Sequence, residues 1–360
     1  MIGTMTWAAM DVHARSTYAA SLDVTTGELT RRRFDTGAVE PVVAWLAGLP
    51  GPVRACYEAG PTGFGLYRAA GAAGIDCQVI APSKTPRPAG DRNKSDRRDT
   101  DLLLRQLMAG ALTPIAVPSV TFEAARDLAR AREQVRADLM RCRHRLSKLL
   151  LRHGRVYDRK AWTQAHGRWL SAQSFGQVNT ELAFIDNLAA CDGLVARKQA
   201  LDERRSHVAR DPELWPLVAR LRAFRGLDTL SALMIVLEVA DFTRFARAVQ
   251  LGSWLGLVPS RQQSGESDTH GSITKTGSKY ARRILVEAAW HYTRPPRIGR
   301  TLAERHDGLP DHILQIAWRA QHRLHRIHRR MRERKKPANV ITVACARELA
   351  CFLWAAAIAP

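Results

Sequence analysis

A mixed α/β layer followed by a mostly helical remainder is the fold class that this 360-residue sequence predicts. Three observations predict it. Three strand-like segments follow one another near the start, strand-like and helix-like segments then alternate to about residue 118, and beyond that apolar residues recur at helical spacing.

The segments Trp7–Val12, Thr17–Val24 and Glu28–Phe34 read as a meander, with Thr25-Thr26-Gly27 turning the second into the third. A helix over Val39–Leu49 comes next. A short apolar strand, Val53–Tyr57, then runs into Glu58 and the loop Ala59-Gly60-Pro61-Thr62-Gly63. A helix at Phe64–Ala73, a strand at Cys77–Ala81 and a basic loop over Ser83–Arg98 lead into a helix through Leu102-Leu103-Leu104. A meander joined to strand–helix alternation predicts a mixed sheet.

From residue 120 the pattern changes. Val135, Leu139, Cys142, Leu146 and Leu149 step by 4, 3, 4 and 3, the spacing of a coiled-coil seam. Val178, Leu182, Ile185 and Leu188 repeat it more loosely, which predicts a long helical hairpin or an arm pairing with another protomer. Leu221–Asp228, followed by the apolar helix Leu230–Val239, looks like a helix-hairpin-helix whose glycine turn aims N–H groups at a phosphate; many helical hairpins turn on glycine without one. The stretch from Asp311 reads as a basic helix, with His322, His325 and His328 on its surface. The expected division is 1–118, a helical arm over 119–212 and a helical domain over 213–360.

Lysine plus arginine outnumber aspartate plus glutamate 55 to 34, a net charge of +21, which points to a polyanionic partner and above all to nucleic acid. The segment Arg126–Lys160 carries 12 basic and 4 acidic residues, and Arg319–Lys336 carries 9 and 1. Such runs are ordinarily solvated faces, but the excess here favours phosphate contact. An anionic membrane would need an anchor that the sequence does not display. The longest apolar run, Leu349–Pro360, is shorter than the roughly 20 residues of a membrane span, and the N-terminus lacks the pattern of a signal peptide. The expectation is a cytoplasmic, nucleoid-associated protein with no membrane partner. The six cysteines are scattered, with no C-x-x-C pair, and read as buried thiols rather than zinc ligands or a disulfide framework.

Four carboxylates stand where an α/β sheet places its chemistry. Asp11 lies near the end of the first strand and Glu58 at the end of the fourth, while Asp96 and Asp99 are three apart and share a helix face. Converging, they would form an all-oxygen cage for hard cations such as Mg²⁺ or Mn²⁺, two of which about 4 Å apart clamp both oxygens of a phosphodiester displacement. The other reading is that Asp96 and Asp99 only supply negative charge at a helix N-terminus.

The motifs Met10-Asp11-Val12-His13, Tyr57-Glu58-Ala59-Gly60-Pro61-Thr62-Gly63 and Asn93-Lys94-Ser95-Asp96-Arg97-Arg98-Asp99 resemble the DEDD signature of IS110-family transposases. Leu255-Gly256-Leu257-Val258-Pro259, Gln263-Ser264-Gly265 and Gly271 through Arg283 resemble that family's C-terminal transposase domain, in the family's order. Thr100, where the family usually has alanine, is the one departure. The resemblance implies a RuvC-like first domain of the ribonuclease H fold, with Asp11, Glu58, Asp96 and Asp99 as metal ligands. It further implies site-specific DNA recombination directed by a noncoding RNA. By the same resemblance the nucleophile falls on Ser264, with Ser260 the nearest rival and Ser267 more distant.

A free serine hydroxyl needs activation, and no histidine stands at convincing spacing, since His270 reads as a loop residue; a metal pair would serve. The serine and the carboxylates belong to different domains, so the expectation is a homodimer or homotetramer acting on donor and target DNA. Gly265, Gly271 and Gly277 read either as loop formers or as points of close approach to a sugar–phosphate chain, with Lys275, Lys279, Arg282 and Arg283 supplying charge. Two other readings stay open: a junction nuclease needing only the four carboxylates, and a non-catalytic nucleic-acid-binding protein.

Overall fold

The structure is a computed structural model that describes residues 5–86, 95–265 and 267–360, and His270 without its side chain. The chain forms two compact units, one ending at Val117 and one beginning at Pro118.

The first unit is built on five strands, β1 (Thr6–Val12), β2 (Thr17–Asp23), β3 (Leu29–Phe34), β4 (Val53–Glu58) and β5 (Asp76–Ile80), in the order β3-β2-β1-β4-β5. β1 runs antiparallel to β2 and parallel to β4, so the sheet is mixed. The turn between β2 and β3 is held by Asp23, whose Oδ1 accepts from the Thr25 N–H at 2.8 Å. Alternation along the strands divides the core in two. Ala8, Met10, Ala55, Tyr57 and Val79 pack against Val42 and Leu46 of α1 (Glu40–Ala47) and Leu66 and Ala70 of α2 (Gly65–Ala72). Ala9, Ala20, Cys56 and Ile80 face the other way, against Leu103, Leu104 and Leu107 of α3 (Asp96–Met108). Each leucine removed from water there contributes about 1.5–3 kcal/mol. A two-pronged ion pair from Arg31 to Asp101, at 2.9 and 3.0 Å, ties α3 to β3. Residues 87–94 of the expected basic loop, including Asn93 and Lys94, lie outside the described residues.

The second unit opens with a helical hairpin of α4 (Val120–Arg152) and α6 (Val178–Val208), with α5 (Gln164–Ser171) between them. The α4 seam buries Val135, Leu139, Cys142 and Leu146, and continues on the buried Leu150 with Leu149 half-buried against the same cluster. On α6 the expected stripe holds only at Leu188. Val178, Leu182 and Ile185 are exposed, and Phe184 and Cys191 join Leu188 in packing into the hairpin. The remaining helices are α7 (Trp215–Arg222), α8 (Thr229–Val239), α9 (Ala248–Trp254), α10 (Lys279–Ala289), α11 (Arg300–His306), α12 (Asp311–Glu333) and α13 (Ala338–Ile358).

α13 corrects the reading of the last apolar run. It has 21 residues, long and apolar enough by length and composition to cross a membrane, but Ile341, Cys345, Leu349 and Leu353 are buried in the core that it shares with α9, α10 and α12. The strands β6 (Pro259–Ser264) and β7 (Ser267–Ile273) form an antiparallel ribbon inside a region whose sequence reads as mostly helical. Of the six cysteines, five are buried and Cys351 is half-buried, and all are free thiols.

Candidate active site

Asp11 and Glu58 end up side by side because β1 and β4 are parallel neighbours in a register that pairs Met10 with Tyr57. Asp11 has the parity of Ala9, and Glu58 that of Cys56, so both carboxylates belong to the sheet face covered by α3. Ser95 caps α3, its Oγ accepting from the Arg98 N–H, and this starts the helix at Asp96. Asp96, Asp99 and the buried Leu103 then lie on one stripe, which aims the two carboxylates at the strand ends. Asp11, Glu58, Asp96 and Asp99 line one cavity of about 90 Å³, together with His13, Thr85 and Gln106. Thr100 is buried, and its Oγ1 donates to the Asp96 carbonyl at 2.7 Å, so the extra hydroxyl is satisfied within α3.

His13, which the spacing argument did not single out as a site residue, joins the cluster. Its Nε2 lies 3.3 Å from Asp11 Oδ2 and 3.8 Å from Asp96 Oδ1. One ligand atom from each of Asp11, His13 and Asp96 falls within 4.8 Å of the others. Burial raises the Asp11 carboxyl above its usual range, and the charges of Asp96 and Asp99 raise it further against the opposing pull of His13. A cavity that crowds oxygen donors until one of them resists ionisation fits a divalent cation, which would relieve the repulsion.

Ser264 lies in the second unit, at the exposed end of the β6–β7 ribbon. It pairs with Ser267, and Gly265 turns the chain at φ +55°, with open space around it. Arg261 and Asp268 brace the ribbon with a two-pronged ion pair at 2.7 and 2.8 Å. Ser260 differs from Ser264: its hydroxyl donates to the Ser272 carbonyl at 3.2 Å and lies where a Cβ on residue 271 would have to go. His270 belongs to β7 and not to a loop.

Several of the expected phosphate-binding residues have internal tasks. Arg283 donates to Glu133 at 2.6 Å and to Glu287 at 2.8 Å, and Arg282 donates to the carbonyls of Leu255 at 2.9 Å and Thr276 at 2.6 Å. Lys279 lies over the Tyr280 ring at 5.1 Å, and Lys275 is exposed with φ +55°. A Cβ on Gly277 would strike the Trp254 carbonyl, and one on Gly256 the Thr276 backbone, so those glycines serve internal packing. Along α4 the basic run divides as well. Arg126 donates to the Leu237 carbonyl, Arg130 pairs with Glu238, and Arg132 with Asp202, whereas Arg145, Lys148 and Arg152 are exposed. On α12, His322 is exposed, but His325 is half-buried, its Nδ1 3.1 Å from the Tyr292 carbonyl.

The first unit carries a carboxylate cluster at its strand ends and the second is mostly helical, and comparison with known proteins gives the class. Residues 8–154 match the IS110 DEDD family, described as Transposase, and residues 218–303 match the Transposase IS116/IS110/IS902 family. The chain is 40% identical over 306 residues to a putative transposase, y4qE, of Sinorhizobium fredii, covering 84% of this chain and 74% of that one. It is 30% identical over 338 residues to the transposase for insertion sequence element IS1533 of Leptospira borgpetersenii, covering 92% and 97%. A probable family 20 transposase of Pseudomonas aeruginosa is 26% identical over 292 residues, covering 78% and 77%. The chain belongs to the IS110 family of insertion-sequence transposases, DNA-recombining enzymes whose substrate is DNA.

Proposed function

We propose that this transposase cuts and exchanges DNA strands through the carboxylates of its first unit and a serine of its second. The observation that carries the reading is the convergence of Asp11, Glu58, Asp96 and Asp99 on one cavity at the strand ends. The mixed sheet, with Asp11 on its first strand and α3 over one face, supports a RuvC-like fold for this unit. Asp11, Glu58, Asp96 and Asp99 would hold Mg²⁺ or Mn²⁺, with His13 near enough to bond to Asp11 or to join the ligand set. When bound, such ions stabilise the charge that develops on the phosphate and on its leaving oxygen.

The chain's own groups do the rest. The carboxylates would act on the scissile phosphate only through a bound cation, and Ser264 supplies the hydroxyl that attacks it. The serine–phosphate ester forms as the phosphodiester bond breaks and one strand end leaves as a hydroxyl that takes up the serine proton, which conserves the energy of the broken bond. Exposure at the tip of the ribbon, beside a glycine with open space, supports Ser264 over Ser260 for this role. In this reading the working divisions are 1–118, 119–212 and 213–360. The partners are donor and target DNA, a noncoding guide RNA, and further copies of the chain in a homodimer or homotetramer. The net charge of +21 supports polyanionic partners.

The deciding experiment incubates the protein and its flanking RNA with donor DNA and Mg²⁺, then denatures the sample and looks for protein bound to DNA. Cleavage with a covalent adduct is the expected result. Metal-dependent cleavage with no adduct would instead support the junction-nuclease reading, in which water attacks.

A further inference from the structure

The second unit contains a cleft of about 620 Å³ that has no part in the chemistry above. Arg225, His291, Arg294, Arg297, Arg300 and Arg305 line it, from the α7–α8 turn, the end of α10 and the segment leading into α11. The cleft holds five guanidinium groups. Its lining includes one carboxylate, Asp228, whose Oδ1 is engaged with the Ser231 N–H at 2.8 Å as the cap of α8.

The walls are fixed by bonds that do not consume the cleft's charge. Arg225 Nη1 donates to the carbonyls of Arg294 at 3.3 Å and Pro295 at 2.8 Å, and Arg305 donates to the Leu227 carbonyl. The Arg297 N–H donates at 3.1 Å to Oε1 of Gln321, which is only 2% exposed. Gly226, at φ +87°, brings the turn against Ala288, where a Cβ would fall 2.7 Å from its carbonyl oxygen. Bonding to carbonyls leaves each guanidinium its full charge. Arg300 has Glu304 at 3.0 Å, an exposed pair one helical turn apart, which screens little. Burial and the nearby Arg225, Arg294 and Arg305 hold His291 below its usual range, as expected where positive charge outnumbers the single Asp228 carboxylate of the lining.

Gathering like charges around one cleft is unfavourable unless an anion enters. The lining cations are guanidinium groups, whose planar fork matches two phosphate oxygens at once. We propose that this cleft holds the phosphodiester backbone of a nucleic-acid strand, with Arg294, Arg297 and Arg300 as its phosphate ligands. The proposal rests on the reading of this chain as a nucleic-acid-handling enzyme and adds the place where a strand is held.

The test measures binding of the full chain to a duplex DNA and to a single-stranded RNA of equal length and arbitrary sequence. It is done without divalent metal, so that cleavage plays no part, and across a range of salt. The variant Arg294→Ala/Arg297→Ala/Arg300→Ala changes three exposed side chains and should fold as the parent does; the single Arg297→Glu variant guards against the case in which it does not. The expected result is weaker binding with a salt slope shallower by about 3, roughly one for each phosphate no longer neutralised. Loss on the duplex alone assigns the strand to DNA, loss on RNA alone to RNA, and loss on both to their shared backbone. The triple lysine variant should keep the slope while binding several-fold more weakly. Unchanged binding in both the triple alanine and the Arg297→Glu variants overturns the proposal, as does a parent that binds neither probe. An equal loss in Arg168→Ala/Arg197→Ala/Arg204→Ala, outside the cleft, also overturns it, in favour of diffuse charge. Metal-dependent cleavage and its dependence on Asp11 are read separately, so failure of the cleft leaves the catalytic reading standing.

Discussion

Asp11 works in surroundings that resist its charge. Burial and the carboxylates of Asp96 and Asp99 keep its folded-state acidity weaker than in the unfolded chain. Stability that is fully present below the unfolded value is therefore lost as pH rises through that raised folded value. Asp11→Asn should thus raise the melting temperature in chelator at pH 7 while abolishing strand cleavage, the trade expected of a residue kept for function. A lower melting temperature would mean that Asp11 holds the fold and not the site. Asp99→Ala should likewise end cleavage while nucleic-acid binding stays within a few-fold; unchanged cleavage would remove it from the metal site. The two serines give a sharper comparison. Ser264→Ala should abolish the covalent adduct and recombination at little cost in stability, within about 0.5 kcal/mol as for most surface changes. Ser260→Ala should retain both, and the reverse pattern would move the nucleophile to Ser260.

Between elements, Glu133 is a buried acid shared by two helices. Its side chain is 3% exposed and faces Arg132 at 2.8 Å, Arg136 at 2.9 Å and Arg283 at 2.6 Å, which joins α4 to α10. Burial pushes its carboxyl up, but the three guanidinium groups more than offset this and hold it below the usual range. Its contribution is therefore present above the unfolded carboxylate value, near ~4.3, and is lost as pH falls through the lower folded value. Glu133→Ala should cost about 1.5–3 kcal/mol in urea unfolding at pH 7, because it removes a charged hydrogen-bond partner from Arg136 while Arg132 keeps Asp202 and Arg283 keeps Glu287. The gap from the parent should close below about pH 4; a gap independent of pH would point to packing instead. The glycines offer a second contrast. Gly277→Ala meets both a left-handed φ and the Trp254 carbonyl, whereas Gly265→Ala meets only the φ. The first should therefore be the more destabilising by calorimetry.

These elements also mark how far the sequence could be read. The α4 seam was legible because one apolar stripe dominates its face. α6 carries two stripes of similar spacing that meet at Leu188, Val178-Leu182-Ile185-Leu188 and Phe184-Leu188-Cys191, and only packing against α4 decides between them. The β6–β7 ribbon was hidden because Ser260 to Ser264 and Ser267 to Ser272 offer no apolar alternation and its strands are largely solvent-exposed. Strand ends and an i, i+3 pair made the four carboxylates candidates and the family resemblance chose them, whereas the partnership of Arg283 with Glu133 spans 150 residues and leaves no local signal.

On the scale of the whole molecule, charge governs association. If some 6–10 phosphates are neutralised, affinity for nucleic acid should fall by about 10³–10⁵ between 50 and 200 mM salt, as read by filter binding. A nearly flat response would mean that the net charge of +21 serves something else.

The packing of α13 has a consequence for the order in which the protein matures on the ribosome. The first unit closes its sheet and both its cores within residues up to Val117, so it can fold while the rest is still being made. The core of the second unit stays open until α13 emerges, because Ile341, Cys345, Leu349 and Leu353 fill it and Arg220 bonds to the Ala359 carbonyl at its far end. Translation that stops early therefore leaves a chain with its carboxylate cluster formed and its serine unit unfinished.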